Sequence, residues 1–169
     1  AVRCDTAVET DVAALAAAAV ETYGRLGIAV NAAGLPLGGT IAKCPIEDAR
    51  AAMDVNYFGS VYFIRHCAEA MTEGGSIILF SSMAAAQPME FVYAYGCAKA
   101  ATDCLVRYAA IEYGPRGIKV NSIQPGPIRS DMASGLWAVP GMDDVYAREI
   151  PLRRIGETDD YADAALWLA

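Results

Sequence analysis

The chain has 169 residues, enough for one domain with a real core, and 55% of them are hydrophobic at a mean hydropathy of +0.28. A net charge of -7 at pH 7 and a pI near 4.6 set it against nucleic acid and against anionic membrane surfaces, both of which would repel it. The longest apolar run, VAALAAAAV at 12–20, is about half of the ~20 residues a bilayer span requires, and without a signal-peptide pattern a cytoplasmic protein is expected.

The five cysteines, Cys4, Cys44, Cys67, Cys97 and Cys104, are odd in number and show no C-x-x-C spacing, so they read as small buried hydrophobes and not as a disulfide framework or zinc site. His66 is the only histidine, which disfavours a histidine-rich metal site and a Ser-His-Asp triad alike.

In chain order, residues 7–23 carry Val12, Leu15, Ala16, Ala19, Val20 and Tyr23 at the spacing of an amphipathic helix, with Thr6 and Glu9 placed for a capping box at its start. GIAVNAAG at 27–34 reads as a buried strand running into a loop. A helical region follows from about Pro45 to Met71, broken near Asn56. SIILFSS at 76–82 is the clearest buried strand, and the helix bearing Tyr95 and Lys99 extends to about Tyr113. GIKVNSIQPG at 117–126 is a third strand, stopped by Pro125 and Gly126. Residues 127–156, with Pro127, Pro140, Gly141 and Pro151, read as a long mobile segment, and a last helix begins near Thr158 with Asp159 and Asp160 at its positive end.

Strands that are unbroken apolar runs, alternating with helices, point to an α/β fold: a doubly wound parallel sheet covered on both faces. Ligands of such sheets bind at the carboxyl ends of the strands. NAAG, the serine pair and PGPI all fall there. Tyr95 and Lys99, four apart on a helix, share one face, while Tyr93 has Cys97 at that offset and reads as a packing residue. A phenol titrates near 10, and a neighbouring ammonium is expected to lower it toward a usable acid/base. Ser82 at a strand end could hold an alcohol or ketone oxygen while Tyr95 exchanges its proton and a cofactor takes or gives the hydride.

These residues resemble the classical short-chain dehydrogenases/reductases, nicotinamide-dependent enzymes with a Rossmann-type sheet, from about Asp5 to Ala169. YGCAK matches the family's Y-x-x-x-K, which implies Tyr95 as the catalytic acid/base and Lys99 as the residue that lowers its pKa and bonds the nicotinamide ribose. Ser82, thirteen residues before Tyr95, matches the substrate-orienting serine. Asn56 in MDVNYFG matches the asparagine that holds a water in a proton relay to the lysine. NAAG, with Asn31, Ala32 and Gly34, resembles the N-N-A-G loop beside the adenosine, with Ala32 replacing an asparagine. PGPIRSDM resembles P-G-x-x-x-T around the nicotinamide: Pro125, Gly126 and Ser130 are matched, and Ile128 is implied to bond the carboxamide through its backbone. By the same match Asp5 and Thr6 would lie near the adenine.

The resemblance also implies a first strand and a T-G-x-x-x-G-x-G loop before residue 1, where amides and a helix N-terminus hold the pyrophosphate, and a last strand after Ala169. The first glycine here is Gly24. A Rossmann-type domain incomplete at both ends is therefore expected, with a gap between a strand near Val2 and the strand at 28–32. The leading expectation is a secondary alcohol/ketone oxidoreductase using NAD or NADP, working as a homo-oligomer (tetramer or dimer) through the helices of Asn56 and Tyr95. A non-catalytic partner subunit and an epimerase or dehydratase on the same fold are the alternatives. Met132 and Trp137, with Leu136, Val139 and Met142, are placed to close an apolar lid over the substrate.

Overall fold

In a computed structural model describing all 169 residues, three strands, β1 (Ile28–Asn31), β2 (Gly75–Phe80) and β3 (Ile118–Ile123), form a parallel sheet in the order β1-β2-β3. The register pairs Asn31 with Leu79 and Ile77 with Val120. Parallel neighbours need long crossovers, here built by α2 (Ile46–Met53) with α3 (Gly59–Ala70), and by α4 (Tyr93–Tyr113). Side chains alternate along β2. Ile77 and Leu79 join Val12 and Ala16 of α1 (Glu9–Tyr23), Phe63, Ile64 and Cys67 of α3 and Val106 of α4 in the main core. On the other face the Ser76 hydroxyl donates to the Leu168 carbonyl of α7 (Thr158–Leu168) at 2.8 Å. Helices thus cover both faces, as a doubly wound sheet requires.

Several details differ from the sequence reading. The Thr6–Glu9 capping box does not form: α1 begins at Glu9 behind Val8, which supplies no side-chain cap, and the Glu9 carboxylate instead meets Arg65 at 2.7 Å and His66 at 3.1 Å. The capping box lies at α7, where Glu157 and Asp160 each satisfy the other's backbone amide. Tyr23, counted on the apolar face of α1, is exposed. Residues 1–5 form no strand, and Val2 is exposed because none of the three strands runs beside it. No gap interrupts the sheet; β1 is an edge strand instead, with Ala29 buried but Ile28 53% and Val30 45% exposed. Only β2 is buried on both faces. Residues 127–156 contain α5 (Ser134–Trp137) and α6 (Met142–Glu149), not an unbroken irregular segment.

The expected break near Asn56 is a π-helical turn, Asp54–Phe58, between α2 and α3. Such a turn frees backbone carbonyls from the regular ladder. The Asn56 carbonyl is taken instead by the hydroxyls of Ser60 (2.7 Å) and Thr102 (2.8 Å).

Gly96, between Tyr95 and Lys99, lets α4 approach the turn after β2: a Cβ there would lie 2.9 Å from the Ala84 carbonyl. Gly96→Ala is therefore expected to destabilise the fold by about 1–3 kcal/mol through overpacking against backbone, read as a lower urea midpoint at unchanged slope.

Candidate functional site

A space of about 1130 Å³ runs from the uncovered face of β1, at Ile28 and Val30, past Ala165 and Leu166 of α7 to the carboxyl ends of the three strands. Ala32, Gly34, Ser82, Tyr95, Lys99, Pro125, Gly126, Ile128, Ser130, Met132 and Trp137 all line it. These residues come from loops far apart in sequence, and the parallel sheet brings them together because every strand ends on the same side.

Ser82, two residues past the end of β2, opens a tight turn, where its oxygen accepts the Ala84 amide at 3.1 Å. That leaves the hydroxyl proton to point elsewhere. One turn of α4 separates Tyr95 from Lys99, whose Nζ stands 5.6 Å from the centre of the phenol ring. Burial pushes the Tyr95 phenol above its ordinary value of 10, while the Ser82 hydroxyl draws it down. The expected lowering by Lys99 is not seen. Lys99 itself is 3% exposed, pushed down to about 8 by burial against an opposing pull from Asp103. Its ammonium donates to the Phe80 carbonyl at 2.7 Å. An ammonium has three donors, so two remain for a ligand.

Asn56 is 1% exposed. Its amide nitrogen donates to the Leu35 carbonyl at 3.0 Å and the Ala52 carbonyl at 2.8 Å, and Oδ1 accepts the Leu35 amide at 3.2 Å. Asn56 thereby clamps the loop after β1 beside Gly34, where a Cβ would lie 3.3 Å from Asn56 Oδ1, 3.2 Å from Met132 and 3.6 Å from Lys99 Nζ. A Cβ there would press on Met132 and Asn56, and the bare backbone of Gly34 leaves that part of the cleft floor flat.

After β3, the Gly126 amide donates to the Tyr161 hydroxyl of α7 at 3.2 Å. Ile128 forms a parallel bridge with Gly156 through the Arg129 amide and the Pro127 carbonyl. Its own carbonyl accepts the Trp137 indole at 2.8 Å, and no protein group accepts the Ile128 amide. The residues present thus fit a nicotinamide dinucleotide: two spare ammonium donors for ribose hydroxyls, a spare amide for a carboxamide, and a glycine floor.

Three expected cofactor residues stand outside the cleft lining. Asn31 is buried and its Oδ1 accepts the Ala33 amide at 3.0 Å, so it shapes the loop. Asp5 is exposed and its carboxylate accepts the Ala7 amide at 2.9 Å; Thr6 packs its backbone against Gly59. Neither is among the residues lining the cleft. Tyr93 packs against Cys44, which raises its phenol, in keeping with a packing role. Ser60, Thr102, Tyr161 and the backbone contact of Trp137 escaped the motif reading. Each acts through a partner at least four positions away, with no local pattern to mark it. The five cysteines are free thiols, no cluster of three or more His, Cys, Asp or Glu could hold a metal, and no helix is long and apolar enough to cross a membrane.

A family model described as enoyl-(acyl carrier protein) reductase matches residues 1–169. The chain is 35% identical over 168 residues to the 7alpha-hydroxysteroid dehydrogenase of Escherichia coli K12, covering 98% of this chain and 65% of that protein. It is 36% identical to an uncharacterized short-chain type dehydrogenase/reductase of Sinorhizobium fredii, covering 99% of this chain and 30% of that protein. A solved 7 alpha-hydroxysteroid dehydrogenase complexed with NADH and 7-oxo glycochenodeoxycholic acid superposes with a TM-score of 0.92 at 34% identity, over 98% of this chain and 65% of that one. The chain belongs to the short-chain dehydrogenase/reductase family, and its sheet is the family's Rossmann-type sheet. It spans under two thirds of the length of these relatives.

Proposed function

We propose that the protein carrying this chain is an NAD- or NADP-dependent oxidoreductase that interconverts a secondary alcohol and a ketone, with Tyr95 as the acid/base. The observation that carries this reading is the meeting of Ser82, Tyr95 and Lys99 on one wall of a largely apolar cleft, with Lys99 keeping two donors unused. A bound nicotinamide would supply or accept the hydride.

The chain's own residues do the rest. Ser82, its oxygen engaged by the Ala84 amide, donates its proton to the substrate oxygen and orients it. Tyr95 gives its proton to that oxygen as a ketone is reduced and takes it back as an alcohol is oxidised. Burial holds the phenol above its ordinary value, so the acid form that protonates a ketone is present at pH 7 and the base form that takes an alcohol's proton grows as the pH rises. Lys99 carries the positive charge that favours phenolate as it forms and offers its spare donors to the cofactor ribose. Asn56 holds the loop of Gly34 against that ribose site and is the candidate holder of a relay water behind Lys99. Ala32, Pro125, Gly126, Ile128 and Ser130 would line the dinucleotide.

Met89, Met132, Leu136, Trp137 and Tyr146 make the substrate side apolar, which suits a ring-shaped, weakly polar alcohol. Relatives named for a hydroxysteroid and for a chlorinated cyclohexadiene diol, the latter from Sphingobium indicum at 35% identity, support that class. A cytoplasmic homo-oligomer, tetramer or dimer, is proposed through the π turn with α3 and through α4, where Phe58 of the turn and Tyr108 and Ile111 of α4 are exposed apolar groups; light scattering on the full-length protein reads its mass.

Fluorescence titration of the full-length protein with NADH and NADPH tests the function. Saturable binding of either, followed by turnover of a cyclic ketone, is the expected result. Absence of binding to both would instead leave a non-catalytic relative.

A further inference from the structure

Residue Ile128 is held on one edge and open on the other. In a parallel bridge the groups facing the partner belong to the flanking peptides: here the Arg129 amide donates to the Gly156 carbonyl at 2.9 Å, and the Gly156 amide donates to the Pro127 carbonyl at 3.0 Å. The amide and carbonyl of Ile128 itself therefore point the opposite way, along the cleft wall. The carbonyl is engaged by the Trp137 indole at 2.8 Å, and the amide beside it is unpaired.

Trp137 is itself fixed from behind. It ends α5, and its ring meets Tyr146 of α6 edge to face, with centroids 5.7 Å apart. A second tether runs alongside: Arg129 pairs with Asp143 of α6 and, at 3.4 Å, with Glu157 at the start of α7. The apolar segment on the substrate side is thus tied, at two consecutive residues, to a stretch of backbone that keeps a free donor in the cleft.

We infer that Trp137 is a positioning residue: the Gly156 amide holds the Pro127–Ile128 peptide, which carries the Ile128 amide, the indole holds the next peptide through the Ile128 carbonyl, and with both planes pinned about the Ile128 Cα the amide is presented to the carboxamide of the nicotinamide, coupling the placement of residues 131–149 to cofactor affinity. The inference rests on the dinucleotide reading above and gives Trp137 a role beyond lining the substrate space. It deepens that reading in one respect: the segment that selects the substrate also sets how tightly the nicotinamide half is held.

The test uses the full-length protein and the Trp137→Phe variant, which keeps a ring against Tyr146 but lacks the N–H. Dissociation constants are measured for whichever of NADH and NADPH binds wild type more tightly, and for the matching ADP-ribose or 2′-phospho-ADP-ribose, which has no nicotinamide. About a tenfold weakening of the dinucleotide with ADP-ribose binding unchanged is expected, the size of one lost or misplaced hydrogen bond. Unchanged dinucleotide binding overturns the inference. Equal weakening of both ligands also overturns it, since the indole would then support the fold and not the nicotinamide. Wild type that binds neither dinucleotide removes the proposed function, and this inference with it, whereas the two preceding outcomes leave that function standing.

Discussion

Tyr95→Phe is expected to lower kcat by about three orders of magnitude while the protein stays folded and still binds its dinucleotide. General acid–base catalysis by a placed side chain is worth roughly 10²–10⁴ in rate, and a phenyl ring has no proton to exchange. The ring sits half-buried in the cleft wall, so its packing survives the substitution, and the hydroxyl has only Ser82 as a close polar neighbour. Steady-state kinetics with a cyclic ketone and a thermal melt check both halves. Turnover within tenfold of wild type would remove Tyr95 from the mechanism. A melt lowered by many degrees would mean that the variant had lost its fold, and its inactivity would say nothing about chemistry.

Lys99→Met is expected to do two opposite things: abolish detectable turnover and raise stability at pH 7. The second effect follows from linkage. The folded-state value of Lys99 is depressed from 10.5 to about 8, so between those values the unfolded chain holds a proton that the native protein does not, and native stability rises with pH across that window. Below pH 8 both states are protonated and the cost of burying the charge is present in full, on the order of 3 kcal/mol for a shift of this size. Methionine fills similar volume without charge and removes that cost. The Phe80 carbonyl, bonded by Lys99 at 2.7 Å, loses its partner and takes back about 1 kcal/mol. The gain is therefore largest below pH 8 and shrinks as the pH rises toward 10.5. Urea denaturation of both proteins at pH 7 and pH 10 measures it. A variant less stable than wild type at both pH values would overturn the linkage argument, and turnover near that of wild type would remove Lys99 from the mechanism. An ammonium kept in a dry cleft at such a cost is otherwise hard to explain.

The same physics separates what local pattern reveals from what it hides. The Tyr95–Lys99 pair was legible because a helix imposes the four-residue spacing wherever it lies. The strand at 76–80 was legible because a central parallel strand is apolar on both faces. β1, which reads as a buried strand, buries Ala29 and Asn31 and leaves Ile28 and Val30 exposed, since a four-residue apolar run looks the same whether a neighbour covers it or not. The Thr6–Glu9 capping box failed for a related reason: Glu9 had a better use across the structure, at Arg65 and His66. The capping box that does form, Glu157 with Asp160, begins with a glutamate in place of the usual serine or threonine.

The sequence by itself determined the order of strands and helices, the parallel doubly wound class, and the residue types that meet at the strand ends, because each depends on periodicities of two and 3.6 and on spacing within one element. Tertiary structure alone decided the rest. Burial raises the Tyr95 phenol while the Ser82 hydroxyl draws it down, since desolvation depends on what the whole fold places around a group. The hydroxyls of Ser60 and Thr102 complete the turn at Asn56, and Trp137 finds the carbonyl of Ile128 nine residues away. Such contacts join elements whose meeting is written in no local pattern, and they carry the parts of the site that motif matching passes over.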